Sequence, residues 1–315
     1  MKKIIALLLA LCLLLTFTAC DGKKENKETK PDGGEPSAPA QTTPAETTES
    51  ILDIDSRYED DSKYEGNVTI PETVLYDAKD IKIVATRVDV SWDEPVVIVE
   101  VENNSDKDIN VSVGNLIING VSTYGDLTVD VSAGKKAIAE LEVYGLYLTY
   151  AKIDGLDEIG TIGCEGAEIF DDKWNVIDTF GFDIRTSIAD TMKYTPDVSG
   201  NVIYEDDYIK VTHQPDFEAY MGDEEYMFVI ENKQDYMLDI NFDDISINGY
   251  MANVFAYGYV SGKTVCFVPM TICDDDLTEL GIKAADITEV SFKVEYSDMD
   301  YELRKSTEEI TIKID

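Results

Sequence analysis

The sequence has 315 residues, of which 26 are lysine or arginine and 64 are aspartate or glutamate, so its formal net charge is −38 at pH 7. A surface this acidic repels nucleic acid and anionic lipid, so we expect no nucleic-acid partner. The acids are spread evenly along the chain. This indicates general solvation, with weak capture of Ca²⁺ outside the cell as the alternative.

The N-terminal segment, MKKIIALLLALCLLLTFTAC, has the pattern of a secretory signal. Lys2 and Lys3 precede an apolar run from Ile4 to Phe17, which is too short and wrongly flanked for a typical membrane-spanning helix. We therefore predict a signal peptide over residues 1–19.

Small residues stand immediately before Cys20. The stretch Phe17-Thr18-Ala19-Cys20 resembles the lipobox of bacterial lipoproteins, although Leu is commoner in that family at the position of Phe17. The resemblance implies that Cys20 becomes the new N-terminus and carries a thioether-linked diacylglycerol. This lipid would anchor the chain to the cell membrane on its extracytoplasmic face. Cleavage would remove two lysines and no acids, so the mature charge would be 24 − 64 = −40. The alternative is an ordinary signal peptide that is cleaved elsewhere.

Residues 20–67 are rich in Lys, Glu, Thr, Pro, Ser and Gly, with PDGGEPSAPAQTTPAETTES at the centre. This segment has no hydrophobic periodicity and almost nothing to bury, so we predict a disordered membrane tether.

The rest of the chain is an internal repeat. ENNSDKDINVSVGNLIING at residues 102–120 recurs as ENKQDYMLDINFDDISING at residues 231–249. Before each copy, large apolar residues occupy every second position, which is typical of half-buried strands. These positions are Val97, Val99 and Val101 before the first copy and Tyr226, Phe228 and Ile230 before the second. Each copy ends in Asn-Gly, a strong hairpin signal. The positions that agree are inward apolar residues and turn formers, so we interpret the repeated phrase as scaffold.

Each half has about seven or eight short strands with turns about every 8–12 residues. We predict an all-β protein with two tandem immunoglobulin-like antiparallel β-sandwiches after a disordered tether, the first over residues 68–190 and the second over 197–315. At most one short helical turn is expected, near Leu277–Gly281. The short connection at residues 195–200 favours sandwiches that lie end to end.

The succession of EN, a turn, an alternating strand, NG, SGK and a Leu/Ile-rich turn before VSFKVEYSD resembles tandem domains in surface lipoproteins of clostridial and related gut bacteria. Those modules are immunoglobulin-like, and their function is mostly unassigned. The resemblance implies a cell-surface location and a fold, and it transfers no site residue.

Few residues indicate catalysis or metal binding. The single histidine, His213, has no partner motif for a nucleophile relay, so we expect a surface or rim side chain and no catalytic residue. His213 with Cys164, Cys266 and Cys273 gives no zinc-ligand spacing, so we expect no metal site and no cofactor. The repeat as first aligned places Cys266 opposite Ile138, as a small buried residue; a Cys266–Cys273 disulfide is the alternative.

Three acidic clusters, at residues 223–225, 243–244 and 274–276, are interpreted as solvated turns, with an adventitious or interdomain Ca²⁺ site as the alternative. Trp92 and Trp174 are expected to anchor the core or rim of the first half.

Eighteen tyrosines are the most suggestive feature, since exposed aromatic rows can stack on sugars or anchor protein partners. The candidate ligand-binding residues lie in two crowded segments: Tyr144, Tyr147, Tyr250, Tyr257 and Tyr259. The alternative is that they are ordinary strand tyrosines at the rim of the core.

The sequence thus predicts a lipid-anchored cell-surface protein that is not an enzyme and has a binding or spacer role, with an envelope protein or a glycan as ligand. One alternative is a surface glycan hydrolase with paired carboxylates, and another is a ligand-receiving accessory lipoprotein. The identity of the ligand and the oligomeric state stay open.

Overall fold

The computed structural model describes residues 67–92, 94–217, 219 and 224–314. The predicted signal peptide, Cys20 and the predicted tether up to residue 66 lie outside these residues. Within them the chain is mostly β-strand, which confirms the all-β class. No helix in this described part is long and apolar enough to cross a bilayer.

The part of the first half that the structure describes contains eight strands, one short helix (α1, Gly145–Tyr150) and a 3₁₀ turn at Leu156–Glu158. Its strands are β1 (Thr73–Ala78), β2 (Ile81–Ser91), β3 (Glu94–Asn103), β4 (Ile109–Ile118), β5 (Val121–Val131), β6 (Lys135–Val143), β7 (Thr161–Asp171) and β8 (Val176–Arg185).

The described residues of the second half contain ten strands, a short helix (α2, Asp274–Leu280) and a 3₁₀ turn at Ala284–Asp286. Its strands are β9 (Asn201–Glu205), β10 (Ile209–Gln214), β11 (Glu224–Asn232), β12 (Leu238–Ile247), β13 (Tyr250–Met251), β14 (Ala256–Val260), β15 (Val265–Ile272), β16 (Glu289–Asp298), β17 (Arg304–Ser306) and β18 (Ile310–Lys313).

The two halves have the same strand pairing. In the first half β1-β2-β3-β6 and β5-β4-β7-β8 form two antiparallel layers, with a two-pair contact between β5 and β6. In the second half the layers are β9-β10-β11-β15 and β14-β12-β16, with β13 beside β12 and β17 and β18 beside β16. Strands from both layers contribute to a shared core in each half, which is the packing of a β-sandwich. The immunoglobulin-like classification and the boundaries 68–190 and 197–315 stay predictions.

The apolar alternation in the sequence produces these cores. Val97, Val99 and Val101 on β3 are fully buried in the first core, and Phe228 and Ile230 on β11 are fully buried in the second. Because side chains alternate between the faces of a strand, period-two spacing delivers every second residue to one interior.

The Asn of each repeated Glu-Asn pair holds a turn together. The Nδ2 of Asn103, which is fully buried, donates to the carbonyl oxygens of Lys107 at 2.8 Å and Val131 at 2.9 Å. Asn232 repeats this pattern in the second half, with 2.8 Å bonds to the carbonyl of Tyr236 and to a carbonyl at the end of β14. These side chains satisfy backbone groups that the turn would otherwise leave unpaired.

The Asn-Gly that ends each copy is a hairpin turn with left-handed backbone at both positions, with φ of 53° and 84° at Asn119 and Gly120 and of 51° and 82° at Asn248 and Gly249. The Oδ1 of Asn119 also accepts the N–H of Gly160 at 2.8 Å, and Asn248 holds the corresponding segment of the second half in the same way. The repeated phrase therefore determines shape, as predicted.

Two strand edges join the halves. β15 pairs in parallel with β5 at Val265–Val121 and Cys266–Ser122. The hydroxyl oxygens of Ser122 and Thr264 are 2.7 Å apart and buried. The contact covers two residue pairs at the beginnings of both strands, and the end-to-end arrangement stays a prediction.

Apolar packing reinforces this junction. Met227 and Val229 on β11 and Phe267 on β15 belong to the buried cluster of the first half, although all three lie in the second half. They project from the face of their layer opposite to Phe228 and Val268, which belong to the second core. The connection between the halves therefore includes a hydrophobic interface.

The repeat alignment at Cys266 is wrong by one residue. Cys266 pairs with Ile230 on β11, whereas Ala137 pairs with Val101, the counterpart of Ile230 on β3. Cys266 thus corresponds to Ala137 and not to Ile138. It is buried as expected, and no disulfide is formed among the three described cysteines.

Two further expectations are corrected. Trp92 is 95% exposed and Trp174 is also exposed, so neither anchors the core or rim; both have left-handed backbone at tight turns between strands. Each half has a short helix, where one helical turn at most was expected. The aspartates at 274–276 form the first turn of α2, where carboxylates interact favourably with the helix dipole.

Candidate functional site

The junction brings together tyrosines from both crowded segments. The ring of Tyr124 on β5 lies 4.6 Å from that of Tyr147 on α1, 6.4 Å from that of Tyr257 and 6.5 Å from that of Tyr259, the last two on β14. We call these four residues the tyrosine cluster. Such separations are those of favourable aromatic pairs. The structure therefore unites three of the five predicted residues around Tyr124, a fourth ring that the sequence reasoning missed.

Burial raises the pKa values of three phenols of the cluster, those of Tyr124, Tyr147 and Tyr259. The hydroxyl of Tyr124 is buried without a hydrogen-bond partner among the described residues, and this burial raises its pKa strongly. Burial, followed by the neighbouring Tyr257, raises the pKa of Tyr147 to about 12. Burial also raises the pKa of Tyr259. Neutral, packed rings are suited to holding the two halves together.

A second group of apolar side chains is accessible to solvent. Tyr250 is 60% exposed, Phe255 is 75% exposed and Tyr257 is 56% exposed, and Met251 between them is also exposed. We call these four residues the exposed row. Tyr257 belongs to both groups, whereas Tyr250 has no ring contact with the tyrosine cluster in the described chain. Of the predicted residues, Tyr250 and Tyr257 are thus the ones best placed to contact a ligand.

Tyr144 lies at the start of α1 and is partly exposed. Burial, followed by the charges of Asp126, Glu142 and Glu94, raises its pKa. The backbone N–H of Gly145 donates to the Glu94 carboxylate, which fixes the beginning of this helix against β3. Tyr144 therefore borders the tyrosine cluster on an acidic surface.

A buried carboxylate crosses the junction. Glu225 on β11 accepts a hydrogen bond from the hydroxyl of Tyr150 on α1 at 3.0 Å and another from Thr271 on β15 at 3.2 Å. A buried carboxylate is tolerated where donors satisfy its oxygens. The contact between Tyr150 and Glu225 gives the junction polar specificity beside the apolar packing.

A cleft of about 580 Å³ lies beside this contact, lined by residues of α1, the connection and the end of β10. Lys152 and Asp197 form an ion pair across it at 2.9 Å. Hydrogen bonds from Ser199, followed by that from Lys152, lower the pKa of Asp197 to about 2. A general acid of a glycan hydrolase requires a raised pKa, so the chemistry of Asp197 is opposite to that role.

His213 is buried on β10, so the expectation of a surface or rim histidine is wrong. Its ring lies 5.5 Å from that of Phe228, and burial lowers its pKa. It is therefore a neutral core side chain.

Within the described ranges, no group of three or more His, Cys, Asp or Glu side chains is placed to hold a metal ion. Of the acidic clusters, residue 223 lies outside those ranges. Glu224 and Glu225 lie on β11, where Glu225 is buried, and Asp243 and Asp244 lie at a bulge within β12, so the interpretation of these residues as turns is wrong. Asp244 has left-handed backbone and forms an ion pair with Lys293 at 2.7 Å.

Comparisons with known proteins add little to this geometry. No protein-family model matches the chain, and no curated protein matches it. Among solved structures, red sea bream transglutaminase is similar over 78% of this chain and 31% of its own, with 10% sequence identity and a TM-score of 0.19. A TM-score this low carries no argument about fold or activity.

Proposed function

We propose that this chain is a lipid-anchored protein of the cell surface, on the extracytoplasmic face of the membrane, with a non-catalytic role in binding an envelope protein or glycan. The anchor is Cys20, and the support for it is the lipobox-like sequence that follows the signal peptide. The resemblance to surface lipoproteins of clostridial and related bacteria supports the same location.

The exposed row is the observation that carries the binding role. The four side chains are exposed within eight consecutive positions of the sequence, from Tyr250 to Tyr257, and exposed apolar surface loses contact with water when a partner covers it. Aromatic side chains at such positions contribute strongly to interfaces and stack on sugar rings. Within the row, Tyr257 also contacts the ring of Tyr124 at the junction.

Binding is tested with the purified whole chain on a glycan array and against isolated envelope proteins. Tyr250→Ala combined with Tyr257→Ala is expected to weaken binding at least about tenfold, equivalent to 1.4 kcal/mol. Trp92→Ala is the matched control, because it removes an exposed aromatic ring outside the row. Equal binding by the double variant and the control would refute the role of the exposed row.

The anchor is tested separately in cells. Cys20→Ser is expected to release the protein or to leave an unprocessed precursor, measured by metabolic labelling with a fatty acid and by cell fractionation. Continued recovery as a processed, lipid-labelled membrane protein would show that Cys20 is not the anchor. The glycan-hydrolase and accessory-lipoprotein alternatives would gain support from turnover of an array glycan or from transfer of a bound solute.

A further inference from the structure

A groove of about 1020 Å³ lies at the junction, distinct from the exposed row. The outer surface of β4, β7 and β8 in the first half forms the floor of the groove. The turn before β12 and Met299, both in the second half, form its wall. Two hydrogen bonds join its sides: the N–H of Gly262 donates to the Glu165 carboxylate at 3.1 Å, and the Nδ2 of Asn115 donates to the Sδ of Met237 at 4.0 Å. The volume lies at the upper end of the roughly 300–1,000 Å³ common for ligand pockets.

Glycines leave the floor of this groove bare. Gly114 lies at a bulge between β4 and β5, and Gly166 lies at a bulge between β7 and β8. Neither has positive φ, and a Cβ at either position would meet no atom within 4 Å. Backbone conformation and internal packing therefore do not require glycine here. Glycine within a strand is typical of bulges, where both of these residues lie, and it also leaves room for the close approach of a ligand or of another chain.

The walls of the groove are apolar and adaptable. Met237 is half-buried before β12 and Met299 is exposed at 54%, whereas the side chain of Phe182 on β8 packs against the first core. Methionine side chains are flexible and polarisable, so they fit apolar side chains of different shapes. The walls thus provide contacts for the apolar part of a bound molecule.

Three carboxylates surround these walls: Glu165, Glu168 and Asp235. Glu168 is only partly exposed, and its carboxylate has no hydrogen-bond or ion-pair partner among the described residues. Burial raises its pKa. A cation placed beside this desolvated carboxylate would provide the partner that the chain itself does not supply.

We propose that the groove binds a basic, amphipathic peptide segment of a partner protein. Apolar side chains of the segment pack against Met237 and Met299, its backbone passes close over Gly114 and Gly166, and its lysine or arginine side chains pair with the carboxylates. The acidic surface of the whole chain attracts such a segment from a distance.

The probe is a fluorescent peptide of alternating lysine and leucine, and its binding to the purified whole chain is measured by fluorescence anisotropy. Gly114→Val combined with Gly166→Val fills the floor without changing the charge, and it is expected to weaken binding at least about tenfold. Glu168→Gln is expected to weaken binding and to reduce its dependence on salt. The same chain labelled with ¹³C-methyl methionine is expected to show peptide-induced shifts at Met237 and Met299.

Folding of the glycine variant is checked by its melting temperature, which valine in a strand is expected to maintain or raise. Asn241→Val is the matched control, because it adds valine at an exposed strand position outside the groove. A peptide of alternating glutamate and leucine is expected not to bind. Equal binding of the lysine peptide to both valine variants would show attraction by net charge alone and overturn the proposal, as would absence of binding or preference for the glutamate peptide.

Discussion

The hydrophobic interface at the junction gives a quantitative prediction, because the repeat provides its own control. Phe267 on β15 and Ile138 on β6 are equivalent positions: Phe267 pairs with Val229 and Ile138 pairs with Glu100, at the same place in their layers. Phe267 is 4% exposed in the first half's core cluster, whereas Ile138 is 72% exposed. One position is therefore an interface residue and the other is a surface residue.

Phe267→Ala is expected to lower the free energy of unfolding by about 3–5 kcal/mol, the usual cost of removing a buried phenyl ring. Ile138→Ala is expected to change it by less than about 0.5 kcal/mol, as for most surface substitutions. For domains of this size each kcal/mol corresponds to roughly 2–4 °C in melting temperature.

The assay is urea and thermal unfolding of the whole chain, followed by circular dichroism and by tyrosine fluorescence. Loss of the interface is also expected to separate the unfolding of the two halves into two transitions, because their cores are otherwise distinct. A change below about 1 kcal/mol for Phe267→Ala, or equal changes for both variants, would refute the reasoning that the halves are held by apolar packing.

Three further predictions concern single side chains. Asn232→Ala is expected to lower the free energy of unfolding by about 1–3 kcal/mol, because it leaves buried carbonyl oxygens unpaired. Asn241→Ala, on the exposed face of β12, is the control and is expected to be near neutral. Equal effects of the two substitutions would contradict the turn-holding role of Asn232. A thiol reagent is expected to modify exposed Cys273 in the native chain before buried Cys164 and Cys266. Burial also raises the pKa of the Cys266 thiol to about 12, which disfavours its reactive thiolate form. Mass spectrometry of the labelled sites measures the order, and early labelling of Cys266 would contradict the prediction. Burial lowers the pKa of His213 in the folded chain. Below about pH 6.5 the unfolded chain therefore binds a proton at this side chain that the folded chain does not bind. The free energy of unfolding consequently falls as the pH drops below that value. In urea titrations from pH 7.5 to 5.5, His213→Phe is expected to lose less stability than the wild type, and parallel losses would exclude this contribution.

The fold was predictable where local patterns decide it. Alternation at Val97, Val99 and Val101, together with the Asn-Gly turns, indicates strands and hairpins through steric rules that act over a few residues. The tyrosine cluster could be predicted only in part. Tyr147 and Tyr257 stood out by crowding, but Tyr124 stands alone in its segment.

Tyr124 joins the cluster only because β5 meets β15, a contact between residues more than 140 positions apart. The groove was hidden for a similar reason. Gly114 and Gly166 look like ordinary strand glycines until two bulges and a turn from the other half are placed around them.

The parallel pairing of β5 with β15 also determines how the chain can be divided. A terminal strand of a sheet presents unpaired N–H and C=O groups that can recruit another molecule. Cutting the chain in the connection at residues 195–200 would uncover such an edge on β15 and, next to it, Met227, Val229 and Phe267. An isolated second half is therefore expected to self-associate, and the two repeats are best regarded as one indivisible folding unit.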